Sequence, residues 1–338
     1  MIKSLTRTRV RLFSWLAVGL ILNVATPAMS WAQTSAKLNE FVVAGWSKPI
    51  TEITNLLSEE DKGFFKARSI KLGYIPGAGG GDALRNLLSG QADVAFTDPG
   101  SFFTALDKGE KLRAIYDIYP QNVFNVVSLT SQNILQPADL KGKRIGVYSL
   151  SSGTRQNLQV LLNQAGLSEA DVTIVVTGLL NFAPLIQGQV DATAATDTGL
   201  LIGRQRGLGD VNVMEVKNYL NISSDFFVVR EETYQQKKEI LKRFLKAYQD
   251  SAKWMIQSPE EAAQLAVKYA IDGQNLSKNL NIIKLRNASS VSATTEIYGL
   301  GAFNMESLQK GADVYQKIGL INKKIDVGTV VSQDLLPK

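Results

Sequence analysis

Four short segments concentrate the side chains able to hold a small polar molecule. Gly45-Trp46-Ser47-Lys48-Pro49 offers an indole, Thr97-Asp98-Pro99-Gly100-Ser101 a carboxylate and a hydroxyl, Ser151-Ser152-Gly153-Thr154 three hydroxyls, and Thr196-Asp197-Thr198 a carboxylate between two hydroxyls. An indole stacks on flat rings. Carboxylates accept from amines or ring N–H groups, and a hydroxyl- and glycine-rich start of a helix presents free backbone amides to an anion or ring acceptor. The candidate contacts are therefore Trp46, Asp98, Ser101, Ser151, Ser152, Thr154, Thr196 and Asp197. Each also has a purely structural use: Trp46 as a core or rim residue, Asp98 and Ser152 as helix caps, Asp197 as a turn residue.

Other chemistries are excluded by composition. The chain has no histidine and no cysteine, so a Ser-His-Asp triad, a cysteine nucleophile and a zinc site built on His or Cys are all impossible. The glycines of Gly77-Ala78-Gly79-Gly80-Gly81-Asp82 lack the Gly-Lys-Ser/Thr ending of a nucleotide-binding loop and read as a strand-to-helix turn. No cofactor is expected. The formal charge is +6, but Lys3, Arg7, Arg9 and Arg11 stand together before Leu12; without them the charges nearly balance, and no nucleic-acid affinity is read from them.

Those four cations precede an apolar run from Leu12 to Val24, and Ser30-Trp31-Ala32 puts small residues at the spacing of a cleavage site. This reads as a secretory signal peptide over residues 1–32, short of the ~20 apolar residues that a spanning helix needs. With no cysteine for a lipid anchor, the expectation is a free periplasmic protein.

The segments above must be positioned by strands and helices, and the pattern from Leu38 onward is α/β. Strands are predicted at 41–44, 70–74, 92–96 and 112–118, with helices at 50–57, 82–88 and 99–106 between them. A second cycle opens with the turn at 137–143 and gives strands at 144–148, 172–176 and 190–195, with helices at 153–164 and 182–186. A strand at 226–230 leads into one long amphipathic helix at 231–256, and another helix opens at Ser258-Pro259-Glu260-Glu261.

Three motifs in order carry a resemblance: Gly90-Gln91-Ala92-Asp93-Val94-Ala95-Phe96 before Thr97-Asp98-Pro99-Gly100; Ala138-Asp139-Leu140-Lys141-Gly142-Lys143-Arg144-Ile145-Gly146-Val147; and Gly188-Gln189-Val190-Asp191-Ala192. With Phe244-Leu245-Lys246-Ala247-Tyr248, they make the chain resemble the type II periplasmic binding proteins of the nitrate, sulfonate and thiamine-precursor branch. That resemblance implies a two-lobed α/β fold with lobe 1 at 33–125, lobe 2 at 126–224 and a return to lobe 1 at 225–338. It implies crossing segments near 121–129 and 219–229, with Asn122 a further ligand candidate in the first. It also implies a monomer that closes on a small molecule, hands it to an ABC permease with its ATPase, and does no chemistry. Trp46 and Pro49 match the spacing of the pyrimidine-binding branch, although Ile50-Thr51-Glu52 follow where that branch commonly shows Asn and His. The expected solute is thus a nitrogen heterocycle such as a thiamine-precursor pyrimidine. The alternatives are a sulfonate- or nitrate-type oxyanion, or a role as a sensor subunit presenting its ligand to a signalling receptor.

Overall fold

A computed structural model describes residues 38–337; the segment 1–32 read as a signal peptide lies outside them. Ten strands form two five-stranded sheets. The first holds β1 (Asn39–Ala44), β2 (Ile70–Ile75), β3 (Val94–Thr97), β4 (Leu112–Tyr119) and β10 (Asp225–Arg230) in the order β2-β1-β3-β10-β4. The second holds β5 (Phe124–Leu129), β6 (Arg144–Val147), β7 (Thr173–Val176), β8 (Ala192–Thr196) and β9 (Val211–Glu215) in the order β7-β6-β8-β5-β9. In each sheet three neighbouring strands are parallel, and a fourth, β10 or β5, inserts antiparallel between its two neighbours. The chain passes between the sheets at 120–123 and returns at 219–224, so each antiparallel strand begins just after a crossing.

The eight longer helices are α1 (Gly80–Leu88), α2 (Pro99–Asp107), α3 (Gly153–Gln164), α4 (Asp197–Gln205), α5 (Lys238–Gln257), α6 (Pro259–Tyr269), α7 (Leu276–Ser289) and α8 (Met305–Lys317). Strand residues of the first sheet are apolar at successive positions because both faces are covered. Phe41, Val43, Phe96 and Phe227 pack on one side with Phe244 and Tyr248 of α5, while Ala95, Phe226 and Val228 pack on the other with Phe102 and Phe103 of α2. The Phe41 and Phe244 rings stack at 4.5 Å, and Tyr248 meets Phe227 edge-on at 4.7 Å. Tyr315 of α8 contacts Phe103 with ring centroids 6.0 Å apart, which brings the C-terminal part back onto this lobe.

Two sequence expectations change. The helix expected at 231–256 is broken at Lys237, which leaves helical geometry and separates Glu231–Gln236 from α5. The two parts bury different partners: Tyr234 lies beneath the Arg113 guanidinium, whereas α5 packs its aromatic row on the sheet. The helix expected at 50–57 is a 3-10 turn at Thr51–Ile53 followed by a single turn at Thr54–Leu57. No helix among the described residues is long and apolar enough to cross a membrane.

Candidate solute cleft

In sheets of this kind the open positions lie beyond the carboxyl ends of the parallel strands. Here the ends of β1, β3, β6 and β8 and the amino ends of the antiparallel β5 and β10 converge on one cavity of about 360 Å³. Trp46 follows β1 and Tyr148 follows β6, so the two aromatics come from opposite lobes; they meet edge-on at 6.4 Å, and Trp46 also contacts Phe96 at 6.4 Å. Phe124, at the start of β5, forms another wall. A side chain on Gly153 would meet the Phe124 ring at 2.5 Å, so α3 must begin with glycine to come this close.

The polar wall is acidic on the first lobe. Asp98 caps α2, with Pro99 in the first turn; its Oδ1 accepts from the Ser101 amide at 2.8 Å and its Oδ2 from Ser101 Oγ at 2.8 Å. The Gln156 amide of α3, turned with its nitrogen toward the carboxylate, donates to Asp98 Oδ1. Burial pushes the Asp98 carboxyl up to about 6 against these hydrogen bonds. Asp225, at the amino end of β10, is 7% exposed, lines the same cavity and accepts no hydrogen bond from the described residues. Burial first, and then the nearby Asp98 charge, push its carboxyl well above the usual range.

A buried ionic network joins the lobes beside this wall. Arg286 of α7 donates to Glu52 Oε2 through Nε at 3.1 Å and Nη2 at 2.7 Å, and reaches Asp197 Oδ1 at 3.0 Å across the cleft. Thr198 Oγ1 donates to Glu52 at 2.8 Å, and Ser289 Oγ donates to Asp197 Oδ2 at 3.2 Å. Burial alone would lower the pKa of the guanidinium, but Asp197 and Glu52 hold it above its ordinary value. The ring of Tyr119 lies 4.6 Å from the same guanidinium. A second contact between the lobes runs from the Gly81 amide to the Ser151 carbonyl at 3.0 Å and from Ser151 Oγ to Asp82 at 3.3 Å. The cleft is therefore closed on two sides.

The sequence candidates divide accordingly. Trp46, Asp98, Ser152, Thr154 and Thr196 line the cavity; Ser101, Asn122, Ser151 and Asp197 do not. Ser101 supports Asp98. Asn122 ties the crossings together, donating to Leu220 O and Asn157 Oδ1, both at 2.9 Å. Asp197 is occupied by Arg286 and Ser289, and Ser151 by the opposite lobe. The hydroxyls of Ser152 and Thr154 face each other at 2.7 Å, and Thr154 also accepts from the Tyr148 amide at 3.0 Å. Thr196 caps α4 by accepting from the Gly199 amide at 3.2 Å. Sequence reasoning missed Glu52, Phe124, Tyr148, Asp225 and Arg286. Tyr148 follows its strand as Trp46 does and could have been found by the same rule, whereas Phe124 and Asp225 enter at amino ends of antiparallel strands, where that rule does not look.

Two sheets with a cavity between them and two crossing segments are the fold of the periplasmic binding proteins. The alkanesulfonate-binding protein SsuA from Xanthomonas axonopodis pv. citri, solved bound to MOPS, superimposes with a TM-score of 0.67 at 17% identity, over 88% of this chain and 99% of that one. The chain belongs to the NMT1/THI5-like family, whose model matches residues 50–262. It is 22% identical to the riboflavin-binding protein RibY of Chloroflexus aurantiacus over 249 residues, 72% of this chain and 71% of the relative. It is 26% identical to a protein assigned to thiamine biosynthesis in Haemophilus influenzae over 186 residues, 55% of this chain and 56% of that protein.

Proposed function

We propose that the chain is an extracytoplasmic solute receptor that captures a small nitrogen heterocycle between its lobes and delivers it to an ABC importer. The observation that carries this reading is the cavity itself: aromatic rings from both lobes, Trp46 and Tyr148, border it, and two carboxyls in its wall, Asp98 and Asp225, form no ion pair among the described residues, although Arg206 and Lys278 also stand in the lining. A flat ring bearing N–H groups matches both features. The flavin named for the Chloroflexus relative is such a ring, and so is a thiamine-precursor pyrimidine. Export through the N-terminal segment would place the receptor in the periplasm, beside its permease.

An oxyanion is the second reading, and two observations favour it: the cations Arg206 and Lys278 line the cavity, and Ser152 makes no side-chain cap at the start of α3, whose first residues also line it. A thermal-shift screen with aminopyrimidines, riboflavin, alkanesulfonates and nitrate separates the two, because a ligand that binds the folded state raises its melting temperature. The heterocycle reading predicts shifts with the first two classes and none with the last two; shifts with sulfonates alone would reverse the assignment.

A further inference from the structure

We infer that Asp225 is the specificity-determining residue of the cleft, its carboxyl taking the amino N–H edge of an amino-substituted nitrogen heterocycle. This rests on the receptor reading above and narrows the solute within it. Asp225 stands one step beyond the Phe226–Thr97 pair of the β10–β3 ladder, which brings it beside Asp98. The two carboxyls differ in one respect. Asp98 is satisfied by Ser101 and by the Gln156 amide, whereas the Asp225 side chain, though more than nine-tenths buried, has no donor among the described residues and lines the cavity.

A buried carboxyl without a partner destabilises the ligand-free protein, so its place in the fold is explained by what enters the cavity. The charged and titratable groups around it are Asp98 on the loop after β3, Asp117 and Tyr119 on β4, Glu52 on the turn after β1, Tyr248 on α5 and Arg286 on α7. Only Arg286 is cationic, and it is already bound to Glu52 and Asp197. An anionic solute placed against Asp225 would add to the surplus of negative charge, whereas a donor edge removes the unmet acceptor.

The test uses two matched probes, 4-amino-2,5-dimethylpyrimidine and 2,5-dimethylpyrimidine, with MOPS as the sulfonate and riboflavin as a further ring. Wild type should prefer the amino probe, and Asp225→Asn should weaken it by about tenfold or more while moving the des-amino probe less than about twofold. Without ligand, Asp225→Asn should melt roughly 2–4 °C higher than wild type at pH 7.5, because burial disfavours ionisation of the Asp225 carboxyl in the folded state and the amide removes that penalty. A residue with a purely structural role would not combine a gain in stability with a loss of binding. Asp225→Ala, which removes both the acceptor and the charge, provides the same comparison should the amide variant fold poorly. Equal binding of the amino probe by wild type and both variants, or tight binding of MOPS with no effect at Asp225, would overturn the inference and leave the receptor reading intact. If no probe binds, both fall.

Discussion

Asp98 shows how one residue can serve the fold and the cleft with opposing energetics. Its carboxylate caps α2, a contribution of about 1 kcal/mol for such a cap, yet burial holds its pKa up at about 6, above the ordinary value of 3.8. A folded-state pKa above the unfolded one means that the native state holds the proton more tightly. The penalty is absent below about pH 4, grows as pH rises toward 6 and is complete above it. Asp98→Asn keeps an oxygen for the Ser101 amide and removes the charge. The variant is therefore expected to gain stability over wild type between pH 4 and 6, approaching about 3 kcal/mol above that window; urea unfolding across that range measures it. A constant difference at every pH would place the carboxyl in a more solvated site than the structure gives it.

At the scale of elements, the contact between α1 and the loop before α3 sets how the lobes meet. Gly81 lies in the first turn of α1, where alanine is acceptable to the backbone, but a Cβ there would stand 2.8 Å from Ser151 Cβ. Gly81→Ala should thus push α1 and the Ser151 loop apart and lower the stability of the ligand-free protein, in which this contact is already made, by about 1 kcal/mol. It should weaken solute binding by about fivefold or more, because the closed arrangement loses the Gly81 to Ser151 hydrogen bond. Melting curves and titration calorimetry on the same variant separate the two effects; unchanged affinity would mean that closure does not use this contact. This element also marks the limit of what the sequence discloses. The glycine run announces a turn, but nothing in Gly79-Gly80-Gly81 names Ser151 as its partner. Likewise Glu52 and Arg286 are 234 residues apart, with Asp197 between them, and the three become one network only when α7 is laid against α4. Most parallel strands and their following loops were legible because apolar runs and caps are local signals. The strands at Phe124–Leu129 and Val211–Glu215, and the break at Lys237, depend on long-range pairing and packing that a sequence window does not contain.

As a whole, the molecule is two copies of one strand order facing each other across a cavity. Antiparallel strands placed beside each crossing bring Asp225 and Phe124 to the floor of the cleft, from which each can contact a bound solute. In the proposed receptor the cleft is both the binding site and the joint, so capture of a solute and closure of the lobes would be the same event. The claim that this cavity binds a flat heterocycle is tested most directly by titration calorimetry of wild type and Trp46→Ala with the strongest aminopyrimidine or flavin ligand. The expected result is one solute per chain in wild type and an affinity lower by about tenfold or more in the variant, the loss of one stacked ring. Equal affinity in the two proteins, or no binding in either, would contradict the account.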